Sequence, residues 1–175
     1  MTARTAVNAA KAGKASKTDK ATKTGKTPLF KALGQKNKQN YDNPDPSILE
    51  CFPSPFADKK HNPNGVLGSL HIEAPEFTTV CPITGQPDFA TIVIDYEPDQ
   101  LCVESKSLKL YLGAFRQFPE FHEGSVNRIA NDLITLLDPW ALRVEGRYTP
   151  RGGIPFWPVA DYVRPEPQPK TVKRK

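Results

Sequence analysis

A thiol and a carboxylate flank a short, stiff loop in the stretch FTTVCPITGQPDFATI, residues 77–92. The loop contains Pro82 and Pro87 with a glycine between them, and β-branched, apolar runs on both sides are typical of paired strands. Cys81 therefore ends one strand and Asp88 begins the next. Because neighbouring residues on paired strands approach to about 5 Å, we expect the two side chains to lie together.

The chemistry of this pair follows from the residue types. A cysteine sulfur is a nucleophile, and a carboxylic acid donates protons. Pro82 keeps Cys81 out of helical geometry, but a carboxylate beside a thiol opposes thiolate formation, because the two negative charges repel. The pattern predicts a nucleophile with a general acid beside it. The alternative is that Cys81 is a small, buried, apolar residue.

A second group of candidates lies in VESKSLKLY, residues 103–111. Glu104 and Ser105 fall at a strand-to-helix junction, where a serine can cap the helix. Lys106 and Lys109 are three residues apart and share one helix face. Helix-start amides with two lysines suit a phosphate, whereas the alternative for Glu104 is a simple partner of the helix dipole.

Two further stretches carry polar groups before a helix and in a turn. In FHEG, an ionised Glu123 can accept two hydrogen bonds at once, which suits the N–H edge of a guanine-like ring; the alternative is a capping carboxylate. TPRGG places Arg151 on a glycine turn, where backbone amides can approach a ligand; the alternative is an ordinary hairpin. The sequence has no GxGxxG motif, so it carries no Rossmann signature.

The hydrophobic periodicity predicts the elements that position these groups. Alternating residues predict four strands and a 3.6-residue period predicts two helices. In chain order they are strands at 69–82 and 88–97, a helix from Ser105, a helix at 126–137, and strands at 140–149 and 154–163. This order predicts an α+β fold, with a four-stranded antiparallel sheet and both helices on one face. Such a sheet has open edges, which a homo-oligomer can pair.

Charge and composition divide the 175 residues unevenly. Residues 1–40 carry a net charge of +9, and the remaining residues carry −4. We predict a disordered basic segment at 1–45, because residues 1–27 are too polar to bury a core, a folded domain at 46–165, and a basic tail at 166–175. Three cysteines at 51, 81 and 102 fit neither a disulfide framework nor a zinc spacing. Without an apolar run of about 20 residues or a signal sequence, we predict a soluble, cytoplasmic protein.

Five motifs in fixed order resemble a known family. CPITGQPDF, ESKSLKLY, FHE, NDLITLLDP and TPRGG are similar to the NADPH-dependent 7-cyano-7-deazaguanine reductases of the queuosine pathway, over about residues 50–162. The resemblance is to the short, single-module form of these nitrile reductases, which have the tunnelling fold. It implies NADPH as the cofactor and reduction of the nitrile of a deazapurine to an aminomethyl group.

The resemblance also implies roles for individual residues. Cys81 matches the nucleophile that forms a covalent thioimide, and Asp88 matches the acid that protonates the nitrile nitrogen. The substrate-binding positions are Val103, Glu104, Ser105, His122 and Glu123. The cofactor-binding positions are Ser105, Lys106, Arg151 and Gly152, with Lys109 a further candidate for the 2′-phosphate. Relatives form rings with active sites between subunits, so the resemblance implies a homo-oligomer of two stacked pentamers.

Two alternatives remain open at this point. A pterin or purine enzyme of the same fold, resembling a cyclohydrolase, would keep Glu123 but would need zinc or a histidine-rich site, and only His61, His71 and His122 are present. A non-enzymatic RNA-binding protein would act through the basic N-terminal segment, whose lysines are not interleaved with aromatic residues for base stacking. We therefore predict no specific nucleic-acid partner and no membrane partner.

Overall fold

The computed structural model describes residues 39–165 of the chain. A 3₁₀ helix, Pro46–Ile48, precedes six strands and two α-helices in the described part. In chain order these are β1 Cys51–Pro53, β2 Leu70–Val80, β3 Pro87–Glu97, β4 Leu101–Val103, α1 Ser105–Gly113, α2 His122–Leu137, β5 Ala141–Tyr148 and β6 Val159–Val163.

The main sheet has four antiparallel strands in the order β2-β3-β5-β6. β2 and β3 form a hairpin whose register is interrupted between Ala74 and Phe77, next to Pro75. Within the described residues, β2 and β6 each pair on one side only, so both are edge strands. The predicted α+β fold with a four-stranded antiparallel sheet is confirmed.

Both helices pack on one face of this sheet. Alternate residues of β3 from Ala90 to Tyr96 point into a core that also contains Leu108 of α1 and Ile129 of α2. This arrangement follows from the periods of the sequence, because strands present every second residue and helices every third or fourth to one side. The opposite face carries ion pairs, such as Arg147 with Glu73 at 3.5 Å.

Three details differ from the sequence prediction. The last strand starts only at Val159, since Pro155 and Pro158 interrupt the run from 154 and proline cannot donate to a strand ladder. A second, two-stranded sheet of β1 and β4 was not predicted, because strands of three residues leave no periodic signal. Residues 39–45 of the segment predicted as disordered contact the body, where Gln39 Nε2 donates to the carbonyl oxygen of Leu110 at 2.9 Å.

Apart from residues 39–45, the disordered N-terminal segment and the basic C-terminal tail stay predictions. Residues 1–38 and 166–175 lie outside the described residues. In the described part, no helix combines the length and the apolar character that a membrane crossing requires.

Gly146 lets β5 and α2 approach closely. A Cβ atom at this position would lie 2.7 Å from Val126 Cγ2 and 2.8 Å from Tyr148 Cε2. We expect Gly146→Ala to lower the free energy of unfolding by about 1–3 kcal/mol, because overpacking strains a well-filled core. Urea unfolding measures this loss. When Gly146→Ala is combined with Val126→Ala, the double variant should lose less free energy of unfolding than the sum of the two single variants. A loss equal to that sum would show that the added Cβ atom does not clash with Val126.

Candidate active site

Cys81 lies just beyond β2, at the start of the turn that leads to β3. Its backbone N–H donates to the Gln86 carbonyl oxygen at 2.8 Å, and its own carbonyl oxygen accepts from Gly85 N–H at 2.9 Å. Gly85 has a φ of 70°, which a residue with a side chain rarely adopts. The turn therefore depends on glycine, and it holds Cys81 at 7% exposure with its sulfur facing the turn's own donors.

These donors lower the pKa of the Cys81 thiol to about 7. The largest cause is a hydrogen bond from the Thr84 hydroxyl, followed by the backbone N–H groups of Thr84 and Ile83, and Arg151 contributes further. Burial acts in the opposite direction. Hydrogen bonds to the charged form favour thiolate, so much of the sulfur is a nucleophile near neutral pH. The sequence suggested a poor thiolate site, because the turn donors are not visible in residue spacing.

Asp88 is buried near this turn, although not directly opposite Cys81. Its strand partner across the hairpin is Thr79, and its carboxylate contacts the Arg151 guanidinium. On its other side, Asp88 Oδ2 lies 3.3 Å from His122 Nε2. Cys81 and Asp88 are therefore joined through Arg151, which hydrogen-bonds to both, rather than by direct strand pairing.

His122 is fixed by an aromatic ring beneath it. Its imidazole stacks on the phenol ring of Tyr148, with the ring centroids 3.7 Å apart and the planes inclined by 11°. Tyr148 is the last residue of β5 and is only 2% exposed. A stack on a rigid, buried ring restricts the imidazole plane and keeps Nε2 directed at Asp88.

Glu123 and Gly152 complete this end of the sheet. Glu123 lies in the first turn of α2, is exposed, and makes no side-chain hydrogen bond to another described residue. Gly152 has a φ of 57° in the turn after Arg151, whose backbone bridges to Ile154. This loop places Arg151 beside Asp88 and Cys81, so at least part of its positive charge is neutralised by these two groups.

Glu104 has a structural role at the start of α1. Its carboxylate oxygens accept hydrogen bonds from the backbone N–H groups of Lys106 at 2.9 Å and Ser107 at 2.7 Å. Glu104, not Ser105, is therefore the helix cap. Because Glu104 occupies two of the helix-start amides, fewer amides are left for a phosphate here than the sequence suggested.

Val103 and the start of α1 lie toward the other end of the sheet from Cys81. Val103 is buried, and its N–H donates to the Tyr96 hydroxyl at 3.2 Å. Tyr96 is eight residues beyond Asp88 on β3, a span of about 27 Å. Ser105 and Lys109 are exposed along a groove between β2 and α1. One chain thus brings together Cys81, Asp88, His122, Glu123, Arg151 and Gly152, but not Val103, Glu104, Ser105, Lys106 and Lys109.

Two residues that contribute to the cluster were missed from sequence. Thr84 has a weak signal, since a hydroxyl three residues after a cysteine in a tight turn commonly bonds back along the chain. Tyr148 has the pattern of an ordinary inward-facing strand residue, and nothing in the sequence places it under His122.

The low thiol pKa predicts the pH dependence of alkylation. We expect the rate of Cys81 modification by iodoacetamide to rise with pH through an inflection at about 7, because thiolate is the reacting form. Thr84→Val should move the inflection upward by removing one donor. Cys51 is the internal control, since burial raises its thiol pKa. An inflection for Cys81 at or above that of Cys51 would contradict the assignment.

The capping role of Glu104 predicts a loss of stability on substitution. We expect Glu104→Ala to lower the free energy of unfolding by about 0.5–2 kcal/mol, because two amides of α1 lose their acceptor. Glu104→Gln keeps one acceptor oxygen and should lose less. The measurement is urea unfolding of both variants, and an unchanged stability of Glu104→Ala would mean that the carboxylate is not needed as a cap.

Comparison with known proteins gives consistent relatives. A family model described as QueF-like protein matches residues 87–167, from β3 onward. An NADPH-dependent 7-cyano-7-deazaguanine reductase of Streptococcus thermophilus is 49% identical over 134 residues, covering 77% of this chain and 78% of that protein. A protein of the same name from Bacteroides fragilis is 51% identical over 133 residues, covering 76% and 83%.

A solved structure and the length of these matches add to the comparison. The archaeosine synthase QueF-Like in the apo form aligns with a TM-score of 0.48 and 19% identity, over 54% of this chain and 91% of that chain. The fold is assigned from the strand order above and not from this likeness. Because the reductases are 49% and 51% identical over most of their length, the chain belongs to the QueF family of NADPH-dependent 7-cyano-7-deazaguanine reductases.

Proposed function

We propose that this protein reduces the nitrile of 7-cyano-7-deazaguanine to an aminomethyl group with NADPH, in queuosine biosynthesis. The observation that supports this most is the thiol of Cys81, whose pKa is lowered to about 7 beside a buried carboxylate, in a chain about half identical to reductases of that name. A weak electrophile such as a nitrile carbon needs an activated nucleophile. Cytoplasmic location remains a prediction.

The first step forms a bond between the Cys81 sulfur and the nitrile carbon. The thiolate donates its electron pair to carbon, one π bond of the nitrile breaks, and that pair takes a proton at nitrogen, which gives a covalent thioimide. We assign the proton to Asp88, and His122 Nε2 at 3.3 Å is within reach to resupply it. Arg151 contacts both groups, so its positive charge lies beside the Cys81 thiolate before the transfer and beside the Asp88 carboxylate after it.

Reduction of the nitrile to the amine takes two hydrides and two protons, and NADPH supplies the hydrides when bound. Cys81 is the leaving group after the first hydride reaches carbon, because a thiolate stabilised by the turn departs easily. The cationic side chains available for the cofactor phosphates are Lys106, Lys109 and Arg151, with Ser105 and Gly152 beside them. They fit a phosphate by charge, although Glu104 occupies the nearby amides.

Substrate recognition divides between the two ends of the sheet. Glu123 has an exposed carboxylate free to accept two N–H groups of the deazaguanine edge, and His122 lies next to it. Val103, Glu104 and Ser105 line the same pocket in this proposal, yet about 27 Å separates Tyr96, which contacts Val103, from Asp88. A single bicyclic base cannot bridge that distance, so the two halves come from two copies.

The surface around the catalytic end supports an assembled site. Several large apolar side chains there are half or more exposed: Ile83, Phe89, Phe121, Ile154, Phe156 and Trp157. Such a patch is typical of a surface covered by a ligand or partner. Together with the two open sheet edges, it supports a homo-oligomer with sites between subunits, and we retain two stacked pentamers as the proposed form.

The function is tested by mixing the protein with the nitrile and NADPH. We expect loss of NADPH absorbance with two equivalents consumed per nitrile. Without NADPH, mass spectrometry should find a substrate adduct on Cys81. Cys81→Ala should lose both, whereas Cys51→Ala, the matched control, should keep both. Turnover by Cys81→Ala, or an adduct on another residue, would contradict the proposal.

The Asp88→Asn variant tests whether Asp88 is the proton donor. We expect Asp88→Asn to lower turnover by about 10²–10⁴-fold, because the amide keeps the shape but cannot transfer a proton. The measurement is the rate of NADPH loss at saturating nitrile, with urea unfolding as the control for stability. If the variant retains near-normal turnover, the proton comes from another group, with His122 the first to examine.

A site built from two copies predicts complementation. Cys81→Ala removes the nucleophile at one end, and Ser105→Arg blocks the pocket at the other. Neither should be active alone, but refolding them together in equal amounts should restore about a quarter of the sites, because each site needs one intact end from each neighbour. Mixed assemblies that form, as shown by mass, but stay inactive would exclude this arrangement.

A further inference from the structure

Phe156, in the loop between β5 and β6, lies beside the catalytic cluster. Its ring centroid is 6.1 Å from that of His122, and the two ring planes are inclined by 47°. Tyr148 stacks on the same imidazole at 3.7 Å, and His122 Nε2 lies 3.3 Å from Asp88 Oδ2. Phe156 is therefore next to the groups that the proposed reaction uses, although that reaction gives it no role.

The backbone around Phe156 is held in place. The Trp157 indole N–H donates to the Tyr148 carbonyl oxygen at 3.1 Å, and the Gly146 N–H donates to the Pro158 carbonyl oxygen at 3.0 Å. Pro158 also restricts the segment, because its ring fixes φ. Despite these anchors, the Phe156 side chain is 50% exposed. A half-exposed aromatic ring on an anchored segment is a preformed surface on which another flat ring can stack.

The polar groups beside this ring indicate which flat molecule fits. Glu123 follows His122 in the first turn of α2, and its carboxylate is exposed. An ionised carboxylate can accept two N–H groups at once, and a base stacks on aromatic side chains through its face. A planar base that donates N–H groups in its plane therefore matches both features. Cys81 belongs to the same cluster, because Arg151 hydrogen-bonds to its sulfur and to Asp88.

We propose that Phe156 forms one face of the base pocket, so that the deazaguanine ring stacks on it while Glu123 binds the N–H edge. This inference rests on the proposed function, from which the identity of the base is taken. The other flat group in that reaction is the nicotinamide ring of NADPH. We assign the base, because Glu123 and Cys81 hold it at both of its ends within this cluster. Its opposite face is left to the neighbouring copy of the proposed assembly.

Protection of Cys81 from alkylation tests the stacking without any turnover. 7-Deazaguanine lacks the nitrile, so it can occupy the pocket but cannot form the bond to sulfur. We expect it to slow the alkylation of Cys81 by iodoacetamide in the unmodified protein. Phe156→Ala should raise the concentration that gives half protection by about tenfold, the usual size of one lost base–aromatic stack. Phe156→Leu should behave similarly, since it keeps an apolar side chain without an aromatic face, whereas Phe156→Tyr should keep the protection.

Phe89→Ala is the matched control. Phe89 is 54% exposed and belongs to the same apolar patch, but it lies on the opposite face of β3 from Asp88, because neighbouring strand residues alternate. Protection by 7-deazaguanine should be unchanged in this variant. Equal losses in Phe89→Ala and Phe156→Ala would overturn the inference, because the patch would then act through its apolar area and not through stacking. Unchanged protection in Phe156→Ala would overturn it as well.

Two further measurements distinguish failure of this inference from failure of the proposed function. Consumption of NADPH by the unmodified protein with the nitrile tests the function, and protection of Cys81 by NADP⁺ tests the cofactor. If NADPH is consumed, but Phe156→Ala weakens protection by NADP⁺ and not by 7-deazaguanine, the ring stacks on nicotinamide and only this inference is wrong. If the unmodified protein neither consumes NADPH nor is protected by 7-deazaguanine, both are wrong. Weaker protection by 7-deazaguanine in Phe156→Ala alone supports the stacking, whatever the turnover.

Discussion

The Arg151 guanidinium hydrogen-bonds to both the Cys81 sulfur and the Asp88 carboxylate, and the candidate active site depends on this contact. Two groups that would repel each other when ionised are thereby held at the same end of the sheet. The contact requires three separate segments to meet: the turn after β2, the first residues of β3, and the glycine turn after β5. The positive φ angles of Gly152 and Gly153 shape the last of these. The fold matters to the chemistry because it brings these segments together.

The same fold keeps the two halves of the predicted site apart. β3 extends from Asp88 to the residues that contact β4, so the start of α1 lies at the opposite end from Cys81. Within one copy, Glu104 caps that start. In the proposed assembly, a second copy brings its α1 end to this copy's Cys81 end, and this proposal makes assembly a condition for activity.

The sequence predicted the framework well because its signals are local. Alternation along β3 and the 3.6-residue period of α2 each reflect one buried face, and that information lies within a dozen residues. The candidates Cys81 and Asp88 could be named for the same reason. Three features could not be predicted, because they depend on backbone geometry or on contacts between distant segments. They are the hydrogen-bond donors to the Cys81 sulfur, the stack of His122 on Tyr148, and the cap on α1. Tyr148 lies 26 residues from His122, and no spacing rule connects them.

The most direct test of the account is a crystal structure of the protein with the nitrile bound and no NADPH. We expect continuous density from Cys81 Sγ to the former nitrile carbon. Glu123 should contact the base edge, and Val103–Ser105 of a neighbouring copy should lie against the ring. Nitrile bound without a bond to Cys81 would contradict the account, as would a complete site formed by a single copy.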